Sequence, residues 1–305
     1  MSTPYPRDLI GYAGNPPHPH WPGEARIAVN FVMNYEEGSE YNVHDDGFSE
    51  ATLTEAGGAD SGVQGRDLAA EGLFEYGSRV GFWRVLRIFK ERGLPMTVFG
   101  CALALERNPA VATAIRESGF DVCSHGWRWI KHWELTEEQE REHIRMAVES
   151  MKKTVGERPL GWYCRSGPSV NTRRLLVEEG GFLYDSDACN DEIPYFADVN
   201  GSPFLVIPYT KVFNDNRYFI APTYSTPNDF FENLRLGLDY LVEEARKGHG
   251  GRMMTVGIHS RWTGQPNRSG VLKRFIEYVL ASDDVCFMRR DEIARFWIDR
   301  FGSLT

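Results

Sequence analysis

Hydrophobic and polar positions alternate along the chain in a way that predicts repeated strands and helices. Residues 26–35 (RIAVNFVMNY) form an apolar, β-leaning run typical of a buried strand. Residues 76–94 then have apolar positions at helical spacing, before a second apolar run at 95–103. Further helix-then-strand pairs are predicted at 108–126, 136–167, 171–188, 228–260 and 269–290. This alternation predicts an α/β fold with a parallel sheet, open or closed into a (β/α) barrel, and chemistry at the carboxyl ends of its strands.

Two segments do not follow this alternation. Residues 1–25 are rich in proline and histidine, which favours an extended N-terminal arm of the kind that often packs on a neighbouring subunit. Residues 39–70 are polar and aperiodic, and they are too long for an ordinary connection, so we expect a covering loop, with a disordered insertion as the alternative. Neither segment divides the chain, and we expect residues 1–305 to form one domain.

Composition and charge narrow the classes of partner. Hydrophobic content is 42%, which is enough for a large buried core. The formal net charge of -9 disfavours nucleic acid or an anionic membrane as a partner. No stretch approaches the about 20 apolar residues of a membrane span, and the start MSTPYPRDLIGY has no secretion pattern. The five cysteines are odd in number and include no CxxC pair, as expected of reduced thiols. These features predict a cytoplasmic protein that acts on a small substrate.

Polar side chains with catalytic potential follow four of the predicted strands. They lie in the segments Tyr35–Gly38, Ser124–Gly126, Cys164–Pro168 and Gly257–Arg261. The carboxyl ends of neighbouring parallel strands meet at one rim, so Glu36, Glu37, His125, His259 and two arginines are expected to lie together. Each residue alone is explained as readily by a solvated turn or a structural ion pair. Together they form a hydrolytic set, because carboxylates and imidazoles transfer protons and guanidinium groups bind oxyanions.

The order of these residues resembles the polysaccharide-deacetylase (NodB-homology) superfamily over residues 26 to about 295. The corresponding positions are Glu36–Glu37, His125 with Trp129, Arg165, the segment Tyr184–Asp187, and His259. The resemblance implies a distorted seven-stranded NodB-type barrel. It also implies that the first carboxylate is the base, that the second carboxylate and two histidines hold a metal ion, and that the last histidine is the acid.

The metal site of that superfamily is incomplete in this sequence. Trp129 stands where a histidine ligand is expected, and an indole cannot coordinate a metal ion. If any ion is bound, only Glu37 and His125 remain as ligands, whereas zinc sites normally use about three or four protein ligands. His132 could replace the missing ligand only from a loop, because in a helix its backbone would lie about 10 Å from that of His125. We therefore predict no metal and no other cofactor.

This chain resembles a narrower group, the metal-independent bacterial allantoinases, at the same positions where it departs from the metal site of the superfamily. The strings NPPHPHWPG, NYEEG, CSHGWRWI and NTRRLLVEEGGFLYD carry the resemblance, whereas Cys164–Val170 and His132 depart from the group's pattern. The resemblance implies that the protein hydrolyses a cyclic amide, converting allantoin to allantoate in purine catabolism. It also implies a cytoplasmic homo-oligomer, often a tetramer.

The roles that we predict for the site residues follow from this resemblance and from their chemistry. We expect Glu36, with its basicity raised by burial or by Glu37, to orient and deprotonate water, and His259 to protonate the leaving nitrogen. His125 is expected either to bind substrate or to share the proton relay. The other predicted site residues bind substrate: Glu37, Trp129, Arg165, Arg261, Tyr35 and His132. Arg165 is also expected to stabilise the oxyanion.

Three alternatives remain open at the level of sequence. The chain could hydrolyse another cyclic imide or hydantoin, as the altered segment Cys164–Val170 suggests. It could be a metal-dependent deacetylase of N-acetyl sugars. It could also be a degenerate barrel that binds a ligand without turnover, although an acid such as His259 has little use in a binding module.

Overall fold

The computed structural model describes residues 7–50, 63–220 and 223–302. The strands are β1 (Ile27–Tyr35), β2 (Thr97–Gly100), β3 (Asp121–Ser124), β4 (Gly161–Trp162), β5 (Tyr184–Asp185), β6 (Tyr195–Val199), β7 (Ser202–Val206), β8 (Arg252–His259) and β9 (Val285–Phe287). The helices are α1 (Val43–Asp46), α2 (Leu68–Tyr76), α3 (Phe82–Lys90), α4 (Ala102–Arg107), α5 (Pro109–Glu117), α6 (Glu137–Thr154), α7 (Thr172–Glu179), α8 (Pro227–Arg246), α9 (Ser260–Thr263), α10 (Pro266–Leu280) and α11 (Arg290–Phe301).

The strands form one curled sheet in the order β6-β7-β5-β4-β3-β2-β1-β8, with β9 also paired to β1. Every pairing is parallel except the β6–β7 hairpin. An isolated bridge from Asn214 to Gly257 brings the segment after β7 against β8, so the sheet curls toward a half-barrel. The α/β class is confirmed. The seven-stranded count is not, because the described residues give nine strands.

Strand β1 supplies side chains to both layers of the core. Successive residues of a strand point to opposite faces. Val29, Phe31 and Met33 accordingly pack in the cluster under the outer helices. Ala28 and Val32 belong to the second cluster, which includes residues of α11. Because both faces are covered, β1 is apolar along nearly its whole length, as the sequence pattern predicted.

Within residues 7–25, the described part of the N-terminal arm, Trp21 packs into the chain's own core. This part contains one 3₁₀ turn, Pro22–Glu24, and its Trp21 is buried beside Trp297 at a ring distance of 6.1 Å. The indole nitrogen of Trp21 donates to the carbonyl of Arg252 at 2.9 Å. Packing of the arm on a neighbouring subunit remains a prediction.

The predicted covering loop is described at residues 39–50 and 63–67, and its stretch 51–62 lies outside the described residues. The loop contains α1 and ends where α2 begins at Leu68. The pattern predicted a single helix over 76–94, but α2 and α3 are joined there by a π-helical turn, Gly77–Gly81. The hairpin Tyr195–Val206 and helix α11 were not predicted. No described helix has the length and apolar character to cross a membrane.

Candidate active site

The predicted catalytic residues meet at the carboxyl ends of the central strands. Glu36 and Glu37 follow β1, His125 follows β3, and His259 is the last residue of β8. Parallel pairing of β1 with β8 and β2, and of β2 with β3, brings these strand ends together. The cluster is buried, with Glu36 and His125 each 1% exposed and His259 7% exposed.

Glu36 is the centre of this cluster. Its Oε1 lies 3.2 Å from Nε2 of His125 and 3.6 Å from Nε2 of His259. Its Oε2 accepts a hydrogen bond from Nη1 of Arg261 at 2.7 Å. One carboxylate therefore contacts two imidazoles and one guanidinium, which is an arrangement suited to moving a proton.

The two carboxyl groups have opposite pKa shifts. Burial alone raises the pKa of Glu36, but Arg261, His259 and His125 together hold it well below its usual range. Burial raises the pKa of Glu37, although Arg261 and Ser260 oppose the shift. The mechanism expected from sequence required a more basic Glu36. The opposite shift keeps this carboxylate ionised.

Each imidazole has one nitrogen committed to a partner outside the centre. Nδ1 of His125 donates to the carbonyl of Tyr163 at 2.9 Å. Nδ1 of His259 lies 2.6 Å from Oδ1 of the fully buried Asp215, whose Oδ2 accepts from the His259 backbone N–H at 2.8 Å. These contacts fix both rings so that each Nε2 faces Glu36.

Asp215 was missed at the level of sequence, where the segment Tyr184–Asp187 held the corresponding place. In the structure Asp185 of that segment pairs with Arg173 at 2.5 Å, and Asp187 accepts from the backbone N–H of Cys164. Asp215 instead begins a 3₁₀ turn after β7, a position that no strand pattern marks.

Glu37 is held in place by backbone and hydroxyl donors. Its Oε1 accepts from Ser260 Oγ at 2.7 Å, and its Oε2 accepts from the Glu36 backbone N–H at 3.0 Å. A Cβ at Gly77, in the π-helical turn, would clash with this carboxylate. The turn therefore needs glycine so that Glu37 can pack against it.

Arg165 contacts the covering loop rather than Glu36. Its Nη2 pairs with Glu50 at 2.7 Å, both side chains being 5% exposed, and its Nη1 donates to the carbonyl of Trp129. The guanidinium lies 3.8 Å from the Trp129 ring and 5.3 Å from that of Tyr41. Two of the three guanidinium nitrogens of Arg165 are thus paired, and its buried Nε has no hydrogen-bond partner, so its role as an oxyanion donor stays a prediction.

The remaining predicted residues have mixed placements. Tyr35 packs edge-on against Phe82 at 5.5 Å, in the core between the sheet and the helices. His132 lies in a short 3₁₀ turn rather than in a longer helix that starts at His125. Burial lowers the pKa of His132 to about 3. Its ring packs against Gly126, where a Cβ would lie 2.9 Å from Cε1. His132 is therefore a buried neutral group.

The donor set does not fit a metal ion. Within residues 7–50, 63–220 and 223–302, no three histidine, cysteine or carboxylate side chains are grouped to hold one. Both oxygens of Glu37 already accept hydrogen bonds, and Trp129 offers no ligand. The guanidinium of Arg261 is the cation beside Glu36, at 2.7 Å.

Comparison with known proteins gives consistent matches. A family model described as polysaccharide deacetylase matches residues 70–183. A Schizosaccharomyces pombe protein named "Putative polysaccharide deacetylase" is 39% identical over 311 aligned residues, covering 95% of this chain and 96% of that protein. Two solved structures are each 48% identical with a TM-score of 0.92. One is a probable polysaccharide deacetylase from Pseudomonas aeruginosa PAO1, with 97% of this chain and 99% of that chain covered. The other is Puue allantoinase, with 98% of this chain and 99% of that chain covered.

Proposed function

This chain belongs to the polysaccharide deacetylase family and has its hydrolase fold, and we propose that it hydrolyses a cyclic amide. The first candidate substrate is allantoin, which would be converted to allantoate. The full-length similarity to Puue allantoinase at 48% identity supports this choice of ring. The proposal includes a role in purine catabolism.

The observation that carries the proposal is the burial of Glu36 between Arg261 and two imidazoles. A carboxylate that is 1% exposed, in a site where a covering loop contributes Glu50, is out of reach of a polymer chain. A small ring that enters and is then enclosed suits this geometry better. A surface cavity of about 410 Å³ lies elsewhere, beside Asp121 at the opposite end of β3.

The geometry supports a division of labour for the hydrolysis. Glu36 orients a water molecule through Oε1, which both Nε2 atoms approach. His125 donates from Nδ1 to the Tyr163 carbonyl, which leaves Nε2 to take a proton from that water as the water oxygen attacks the ring carbonyl. His259, held by Asp215, protonates the ring nitrogen as the carbon–nitrogen bond breaks. A ureido nitrogen leaves more readily than an alkyl amine, so the reaction makes modest demands on the acid.

A substrate panel tests the proposal. The panel consists of allantoin, hydantoin, succinimide and dihydrouracil, assayed with purified protein. We expect allantoin to be hydrolysed fastest. Its rate of hydrolysis should be the same before and after treatment of the protein with a chelator. Preference for another ring in the panel would reassign the substrate within the same chemistry. Turnover of N-acetyl sugars that is lost on chelation would overturn the proposal, and binding of a ring without turnover would favour the ligand-binding alternative.

The proposal extends to the setting in which the enzyme works. We propose a cytoplasmic homotetramer with no nucleic-acid or membrane partner, consistent with the net charge of -9. Light scattering on the purified protein tests the assembly, and a monomer in solution would contradict it.

A further inference from the structure

The guanidinium of Arg261 is fully buried beside both carboxylates of the site. Its Nη1 lies 2.7 Å from Glu36 Oε2 and 3.7 Å from Glu37 Oε1. Its central carbon lies 4.4 Å from the Trp262 ring and 5.1 Å from the Trp129 ring. Arg261 therefore holds a positive charge at a fixed position next to the proposed attacking water.

Part of this guanidinium is unused. Among the described residues, Nε and Nη2 of Arg261 have no hydrogen-bond partner although both atoms are buried. A buried donor without a partner costs about 1–3 kcal/mol, and more when it is charged, so such a group calls for an explanation. The rings of Phe74, Trp129 and Trp262 surround this guanidinium but accept no conventional hydrogen bond from it.

Arg290, the other large and fully buried arginine, gives the contrast. Its Nε donates to Ser186 at 3.2 Å, its Nη1 to Asn30 at 2.9 Å, and its Nη2 to Ser186 at 2.8 Å. Every nitrogen of this structural guanidinium has an acceptor. The fold thus satisfies all three nitrogens of this buried structural arginine. Among the described residues, Arg128, Arg158 and Arg165 each have one buried guanidinium nitrogen, Nε, without a partner, whereas Arg261 has two.

We propose, on the basis of the proposed function, that Arg261 is the electrophilic group of the site and that its free N–H edge receives the oxyanion. As the water oxygen bonds to the ring carbonyl carbon, the electron pair of the C=O bond moves to oxygen, which accepts from Nε or Nη2 of Arg261. When the intermediate collapses, that pair re-forms C=O and the carbon–nitrogen bond breaks. The proton from water is on His125, and the leaving nitrogen takes its proton from His259.

Trp129 has a positioning role in this arrangement. Its indole contacts two guanidinium groups, with the central carbon of Arg165 at 3.8 Å and that of Arg261 at 5.1 Å from the ring. A ring stabilises a cation without accepting a conventional hydrogen bond, and so leaves the N–H edge open. This accounts for an aromatic residue at a position where a metal ligand would compete with Arg261.

The test compares Arg261→Lys and Arg261→Ala with Arg274→Lys, a control whose guanidinium stacks on the remote Phe231 ring at 3.7 Å. Loss of an oxyanion donor lowers kcat by about 10²–10³-fold, and we expect this for both Arg261 variants with KM changed far less. Guanidinium ion should restore part of the activity of Arg261→Ala, whereas ammonium at the same concentration should not. Circular dichroism checks whether each variant is folded. If Arg261→Ala does not fold, the comparison of Arg261→Lys with wild type is the test.

Binding of formate, measured by calorimetry, separates this inference from the proposed function. If the wild-type protein turns over no ring in the panel but binds formate at least about tenfold more tightly than Arg261→Lys does, the function falls and the anion-binding edge stands. If allantoin is turned over and Arg261→Lys keeps kcat within about threefold, the inference is overturned. It is also overturned if a protein that turns over no ring binds formate equally well with and without Arg261, or in neither case.

Discussion

Replacement of Asp215 by asparagine tests whether the orientation of His259 matters for turnover. Asp215 Oδ2 accepts from the His259 backbone N–H at 2.8 Å and from Thr263 Oγ1 at 2.6 Å, so the new amide oxygen should remain there. The amide nitrogen then faces Nδ1, where a carboxylate oxygen lay at 2.6 Å. A donor at this position forces the ring proton onto Nε2 and disfavours the charged imidazolium. His259 then becomes a poorer acid.

The loss can be sized from the hydrogen bond that is removed. A hydrogen bond to a charged group contributes about 1.5–3 kcal/mol, and each 1.4 kcal/mol is about tenfold in rate, so kcat of Asp215→Asn should fall by about 10- to 150-fold. Steady-state hydrolysis of allantoin measures it. Asp239→Asn, at an exposed pair with Arg235, is the matched control and should keep wild-type kcat. Wild-type kcat in Asp215→Asn, or a fall explained entirely by unfolded protein, would refute the assigned role.

Three further substitutions probe the same site and the core. Glu36→Gln should abolish turnover while calorimetry still detects substrate binding, and turnover within a few-fold of wild type would contradict its central role. Gly77→Ala should displace Glu37 and lower stability by about 1–3 kcal/mol in urea unfolding, whereas Gly72→Ala, with nothing within 4 Å, should be neutral or stabilising. Burial raises the pKa of Asp121 from 3.8 to about 7, so the folded protein binds the proton more tightly and loses stability as pH rises through this window. Asp121→Asn should flatten that decline by about 1 kcal/mol or more between pH 5 and pH 8, and an unchanged slope in the variant would count against the shift.

The fold could be predicted where burial imposes a period on the sequence. Strand β1 is covered on both faces and α6 on one, and both were predicted because their apolar residues follow that burial. Strand β6 has mostly half-buried residues and was missed, although Asn200 and Gly201 mark a hairpin turn. Periodicity carries little information where neither face of a strand is clearly inside.

The site could be predicted only as far as strand ends mark it. Glu36, His125 and His259 follow strands, and the structure brings their side chains together around one carboxylate. The partners of His259 and Arg165 lie in irregular segments, since Asp215 begins a 3₁₀ turn and Glu50 ends the first described stretch of the covering loop. The lowered pKa of Glu36 depends on those three-dimensional contacts and therefore could not be predicted from the order of residues.

The central position of β1 has a consequence for synthesis of the protein. Ile27 pairs with Arg252 of β8 and with Val285 of β9, strands that leave the ribosome long after β1. Until β8 is synthesised, one edge of β1, among the most apolar segments of the chain, has no strand to pair with. Translation adds about 5–20 residues per second. Nascent chains should therefore depend on holding by chaperones for an interval of about ten seconds or more, and slower elongation should lengthen their exposure to aggregation.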